Sequence, residues 1–541
     1  MKLKYSSICY SLLWQSALGV ALFATGVAMA QAPGVPAAQG QGQGQGAGAA
    51  ARPAAAPYQE SPTAYQGGTG AIGCVGCPAT AAAARAGAGG GGGQGAVAAA
   101  AAGGAQGAAG GPRRVGPPQN LPNPLPYDLL LQNGHVIDAK NNIDKVVDVG
   151  IKDGKIAAVA ANLNPKDAAK AIDVKGYIVT PGLLDIHVHV YASPSAHELV
   201  GDVSVWPDGY TFRNGVTTVV DAGTSGWRNF EDFKEHVIDR SQTRVLAMLN
   251  IEGSGMRNGY EDDLTNMNGE ATGWMALRYP GVIVGVKCAH FTGPEWTPYI
   301  EAVKAGTIAN IPVMIDYGTN RIERPLSALL ATYLRPGDIY THTYSGYRDE
   351  QDSKTLKASA AARNGRKRGI YFDAGTGSGS FRFRVAIPLI KDDFKPDSIS
   401  TDLHANSVRD GTKDMLNVMA KFMASGLTLQ EVIADSTWHP AREIKQEQLG
   451  NLSVGAPADV AVLSEEHGKF GFIDADSLKG LGDTKLRCEL TVRNGKIVYD
   501  LDGLSMDLWN QPTSSDPQMA SHWTAYPPRP ALPEQLTPTQ K

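Results

Sequence analysis

The chain has 541 residues, 43% hydrophobic and 19% charged, with 49 Lys and Arg against 53 Asp and Glu for a formal net charge of −4. With neither sign dominant, the balance argues against a nucleic-acid or membrane-surface partner. Of the 63 Gly, 24 fall between residues 31 and 126 among almost no branched apolar side chains, which excludes a single globule spanning the whole chain.

Residues 1–30 carry two lysines in Met1–Lys4, then an apolar stretch ending in Leu18–Val27, then Ala28-Met29-Ala30. That order of charged, apolar and small-residue regions is a secretory signal peptide, and its apolar core is short for a bilayer span. The expectation is cleavage after Ala30 and export, periplasmic or secreted, with no membrane span in the mature chain. Residues 31–126 are rich in Gly, Ala, Gln and Pro and bury too little apolar surface to offset the entropy of ordering, so they read as a disordered linker. Cys74-Val-Gly-Cys77 inside it has no strand–helix context and no second ligand pair; a local disulfide or an accidental pair is favoured over a metal site.

From Tyr127 short β-type runs follow: Tyr127–Gln132, Val136–Asp138, Val146–Ile151, Lys155–Val159 and Lys170–Val174. Asn133-Gly134 and Asp153-Gly154 read as turns between them. Asp459–Leu463 and Glu489–Tyr499 repeat this character, so residues 127–180 and 448–500 are expected to build one small β-sandwich domain from discontinuous pieces. Residues 181–447 hold eight strand-like runs centred on Leu184, Thr218, Ala247, Gly285, Met314, Tyr340, Tyr371 and Ser400, alternating with helical patterns. Eight such units predict an α/β fold, a (β/α)8 TIM barrel. A doubly wound open sheet would call for a Gly-rich phosphate turn, and this region has none. Residues 501–541, with Trp509 and Trp523, read as a Pro-rich C-terminal tail.

In a barrel, chemistry sits where strands end at their C-terminal side. The first run ends in His187-Val-His189, whose alternation places both imidazoles on one face, able to grip one metal ion. The fourth ends in Lys287, the fifth in Asp316, the sixth in His342 and the eighth in Asp402. Five strand ends carrying ligand-type side chains point to a metal site. Cys288 alternates away from the Lys287 face, and His404 reads as a loop residue.

Val179-Thr-Pro-Gly-Leu-Leu-Asp-Ile-His-Val-His189 resembles the first-strand signature of the amidohydrolase superfamily. Gly215–Gly223, Arg335–His342 and Ser400–Asp402 are similar to its dihydroorotase-like branch, nearest the amidohydrolase/deacetylase group of metallohydrolases, and Gly450–Leu463 resembles the superfamily's usual return into the β domain. The resemblance covers Tyr127 to Asp500. It implies a hydrolase of C–N amide or ester bonds acting on a small molecule, with His187, His189 and Asp402 at a first metal and His342 at a second. It also implies that Lys287 is carbamylated and bridges two Zn²⁺, and that Asp402 is the general base and acid for a metal-activated water. Asp316 stands where that family has histidine. Carboxylate oxygen is an acceptable zinc ligand, so a two-metal site survives, with one metal or another divalent ion as the alternative. Ala289 and Thr376 replace an expected arginine and histidine; with Asp316 they motivate a rival reading as a catalytically impaired metal-binding or scaffold protein. A homo-oligomer is compatible with either.

Overall fold

The computed structural model describes residues 124–192, 204–256, 261–318 and 321–508. The signal segment, nearly all of the linker with Cys74 and Cys77, and the tail from Trp509 onward lie outside the described residues.

Strands β1 (Tyr127–Asp138), β2 (Ile143–Lys152), β3 (Lys155–Ala160), β4 (Ala168–Asp173) and β5 (Ile178–Pro181) come first. Asp153-Gly154 joins β2 to β3 with both φ angles positive, 49° and 73°, as a two-residue hairpin turn requires. Asn133-Gly134 behaves differently from the expected turn: it is a bulge inside one continuous β1. Asn133 adopts φ 62°, donates its N–H to Asp148 Oδ1 at 2.7 Å and bonds Asp173 through its amide. A Cβ at Gly134 would overlap Val179, so only glycine allows the two strands to close here. Before the bulge β1 pairs with β4, and after it with β5, while β2 runs along its other edge. The sheet therefore forks, and the two leaves enclose Leu129, Val136, Val149, Ile172, Val179 and their neighbours.

Only Gly182 separates β5 from β6 (Leu183–Val188), the first strand of a parallel sheet. It continues with β7 (Val216–Gly226), β8 (Arg244–Asn250), β9 (Ile283–Cys288), β10 (Val313–Ile315), β11 (Ile339–Tyr340) and β12 (Tyr371–Phe372), neighbours in sequence order throughout. These strands are nearly all buried and mostly apolar, as expected where both faces are covered. Leu184, Ile186, Val220, Leu246, Met248, Val284, Met314 and Ile339 pack on one another and on Ala441, Ile444 and Leu449, filling the barrel's inside and plugging one end. The alternate residues, such as Val219, Val245, Val313 and Tyr340, belong to the larger core shared with the surrounding helices, which include Gly269–Arg278, Thr297–Ala309 and Phe383–Lys391.

The eighth run is not a regular strand. Residues 398–403 close the barrel through single bridges, Ser398 to Asp373 on one side and Leu403 to Val188 on the other. Its polar residues explain the difference. Thr401 gives its N–H to Asp185 Oδ1 (3.0 Å) and Ile399 gives its N–H to the Asp435 carbonyl (2.7 Å), so side-chain and loop acceptors replace part of a ladder whose other bonds, such as Ala374 N–H to the Ser398 carbonyl (3.0 Å) and His189 N–H to the Leu403 carbonyl (2.9 Å), remain.

The chain then returns through β13 (Val460–Ile473), β14 (Lys479–Arg493) and β15 (Lys496–Asp500), which extend the first sheet in the order β15-β14-β13-β5-β1-β2-β3. Asn494-Gly495 makes a second positive-φ hairpin turn between β14 and β15. Asp459 ties the two parts together: it accepts from Arg244 at the start of β8 (2.5 Å) and from Arg493 in β14 (3.4 Å). The architecture is a TIM barrel carrying a small β domain assembled from segments on both sides of it. Among the described residues, no helix is long and apolar enough to cross a membrane.

Candidate metal centre

The strand ends converge on one buried group. His187 and His189, from the end of β6, have ring centroids 5.6 Å apart. His189 Nε2 lies 3.0 Å and His187 Nε2 3.6 Å from Asp402 Oδ1. One ligand atom from each of the three lies within 4.8 Å of the others, the one such grouping of His, Cys, Asp or Glu among the described residues. Lys287, at the end of β9, brings Nζ to 2.8 Å from His187 Nε2 and 3.7 Å from Met314 Sδ.

Asp316, just past β10, and His342, just past β11, form a second group beside the first. His342 Nε2 is 3.2 Å from Asp316 Oδ2, and its ring centroid is 5.1 Å from that of His187. All six side chains singled out from the sequence thus lie around one end of the barrel.

The protonation states suit cation binding. Burial and the neighbouring Lys287 push the His187 imidazole down to about 3. Burial opposes ionisation of Asp402, but His187, His189 and His404 outweigh it and hold the carboxyl well below the usual range. Asp316 behaves likewise: burial is overcome by His342, Arg348 and His290. Burial also pushes the Lys287 amine below its ordinary range. Cys288 is buried on the opposite side of β9 and its thiol is pushed far up by burial, which removes it as a nucleophile.

Outer hydrogen bonds hold the imidazoles. His187 Nδ1 meets Thr341 Oγ1 at 3.1 Å, His189 Nδ1 meets Thr224 Oγ1 at 2.9 Å, and His342 Nδ1 meets the Gly375 carbonyl. Thr341 in turn donates to Asp373, which also accepts from Ser398 and Ser400. Such partners fix the tautomer and leave Nε2 as the ligand atom. Thr376 is spent on structure, donating to the Thr401 carbonyl at 3.1 Å, and Ala289 is buried. His404 lies over His189, ring centroids 6.2 Å apart, with no partner for Nδ1 among the described residues.

Three residues at the site escape sequence reasoning. Arg348 donates to Asp316 Oδ1 at 2.7 Å, His290 Nε2 reaches Asp316 Oδ2 at 3.2 Å, and Glu261 holds His290 Nδ1 at 3.2 Å. Strand alternation puts position 290 on the Cys288 side of β9, away from Lys287. The turn after the strand reverses this, because His290 adopts φ 55°. The visible signal is compositional: position 316 lacks a histidine and position 290 has one.

No family model matches the sequence. A deacetylase of Brucella anthropi is 31% identical over 334 residues, 60% of this chain and 79% of that protein. Among solved structures, that of an adenine deaminase superposes with a TM-score of 0.64 at 29% identity, covering 69% of this chain and 100% of that one. A dihydroorotase gives a TM-score of 0.60 at 27% identity over 69% and 99%. With the barrel, the polar strand ends and relatives of this kind, the chain belongs to the amidohydrolase superfamily of hydrolases, in its dihydroorotase-like branch with the deacetylases.

Proposed function

We propose that the protein is an exported, metal-dependent hydrolase that cleaves a C–N amide bond, in a cyclic amide or an N-acyl group, or an ester bond of a small molecule. The observation that carries this reading is the His187, His189 and Asp402 cluster at the strand ends of the barrel. Two imidazoles and a carboxylate are a donor set that fits zinc. His187, His189 and Asp402 would hold one cation, and Asp316 and His342 a second. Export rests on the signal-type segment 1–30.

A bound divalent cation supplies the positive charge that acidifies a water and polarises the scissile carbonyl. Lys287, whose amine burial pushes below its ordinary range, would take up CO₂ with loss of a proton, and its carbamate would help to hold the cations. Asp402 accepts the proton of the attacking water as its oxygen joins the carbonyl carbon. It then returns that proton to the leaving nitrogen or oxygen as the C–N or C–O bond breaks, the work of a carboxylate within reach of both. Outer partners Thr341, Thr224 and Asp373 keep the histidines aimed during the cycle.

The test is the metal content of purified protein grown with zinc, joined to hydrolysis of a panel of N-acyl amino acids, cyclic imides and acyl esters. Stoichiometric metal and a fall of about 10³-fold in Asp402→Asn are expected. Less than about 0.2 metal per chain would sink the reading.

A further inference from the structure

Behind the candidate metal centre a line of buried polar side chains runs from His187 toward the other end of the barrel. His187 Nδ1 lies 3.1 Å from Thr341 Oγ1, which donates to Asp373 Oδ2 at 2.6 Å. Ser400 donates to the same oxygen at 2.7 Å, its own Oγ accepting the Gly375 N–H at 3.1 Å. The other oxygen, Asp373 Oδ1, lies 2.8 Å from Ser398 Oγ. Ser398 Oγ in turn lies 2.9 Å from Oε2 of Glu443, the last residue of helix Trp438–Glu443. Glu443 and Tyr371, the first residue of β12, help to line a cavity of about 90 Å³, so the line ends at the foot of the barrel, where its strands begin.

Each hydroxyl has one hydrogen to give. Ser398 Oγ nevertheless stands between two carboxyl oxygens, so one of those carboxyls must itself carry a proton and donate. Asp373 is the acceptor, because Thr341 and Ser400 already aim their hydrogens at it. Glu443 is 2% exposed, and its Oε1 has no hydrogen-bond partner among the described residues. As a carboxylate it would bury a bare charged oxygen, which is costly. Burial and the charges of Asp373, Asp397 and Asp435 also hold the Glu443 carboxyl well above its usual range, against the opposing bond with Ser398. The hydrogens then run from Glu443 to Ser398 and from Ser398 to Asp373. On the other side Thr341 spends its only hydrogen on Asp373 and so accepts from His187, which places the ring hydrogen on Nδ1 and the lone pair on Nε2.

We propose that Glu443 is an un-ionised carboxylic acid and a positioning residue for the metal centre, acting on His187 through Ser398, Asp373 and Thr341. By donating to Ser398 it turns the one serine hydrogen onto Asp373; ionised, it would compete for that hydrogen and set a second negative charge beside Asp373. Asp373 stays fixed as the shared acceptor that orients Thr341, and Thr341 sets which ring nitrogen His187 offers to a cation. The positioning role rests on the metallohydrolase reading above; the un-ionised state of Glu443 does not.

The experiment compares the full-length protein with Glu443→Gln and Glu443→Met. In the infrared difference spectrum, Glu443→Gln should lack the C=O stretch of an un-ionised carboxyl that the parent protein shows; loss of carboxylate bands instead overturns the proposal. Zinc affinity, measured by competition with a chromophoric chelator, should match the parent in Glu443→Gln, whose side-chain amide can donate to Ser398. In Glu443→Met it should fall about 10-fold. Ser398→Ala cuts the same line, should fall alike, and stands in for Glu443→Met if that variant does not fold. Parent affinity in Glu443→Met, or an equal fall in Glu443→Gln, overturns the positioning role. A parent protein that binds no zinc removes the metallohydrolase reading and the positioning role with it, while the infrared result stands by itself, so the failures are distinct.

Discussion

Asp402 depends on what is missing opposite it. Gly377 has φ 46°, and a Cβ there would overlap Asp402 Oδ2. Gly377→Ala is therefore expected to push the carboxylate away from His187 and His189. Small misplacements of reacting groups are worth about 100-fold in rate, so activity should fall by that order while the far-ultraviolet spectrum is retained; unchanged kinetics would show that Asp402 tolerates displacement. His187, His189 and Asp402 were readable from sequence because strand alternation and strand ends are simple geometric rules. Glu261, His290 and Arg348 were not, because they enter from loops whose path is set by left-handed residues and tertiary hydrogen bonds. No period-two rule survives the φ of 55° at His290.

Helix Met415–Ser425 shows what the element scale adds. Eight of its eleven residues are buried, including Lys421, whose Nζ sits 5.0 Å over the Phe381 ring. Burial lowers the lysine from 10.5 to about 8, partly offset by Asp474. The unfolded chain thus binds more protons between pH 8 and 10.5, and stability rises with pH across that window, the charged form costing about 3 kcal/mol below it. Lys421→Met should raise the urea midpoint at pH 7 and abolish the rise between pH 8 and 10.5; a variant that keeps the rise would place its origin elsewhere. Strands were legible to different degrees for a related reason. β6–β9 read clearly as buried apolar runs, whereas β11 and β12 shrink to two residues each and the eighth run trades ladder bonds for carboxylates. Hydrophobic patterning shows burial, but it does not show which acceptor a backbone N–H will find.

At the scale of the whole molecule, one chain passes from β domain to barrel across Gly182 and back at Asp459, so the two cores are coupled by covalent continuity and by the Arg244–Asp459–Arg493 link. The barrel itself is uneven. Its parallel sheet runs unbroken from β6 to β12 and is joined into a ring through residues 397–403, an irregular segment whose backbone bonds reach Phe372, Ala374, Thr376 and Gly377 on one side and His187 and His189 on the other. That closure is a seam, and the proposed first cation would be its stitch: His187 and His189 stand on one lip and Asp402 on the other. Catalysis and mechanical closure would then draw on the same bond. Stripping metal with a chelator should speed amide hydrogen exchange at Thr401 and Leu403 well before it touches β7–β9. Equal exchange with and without metal would mean that the ring holds by hydrogen bonds alone. An enzyme built in this way would lose the shape of its wall as it loses its cofactor, so metal starvation would be recorded as opening of the barrel and exposure to proteases, not as a silent loss of turnover.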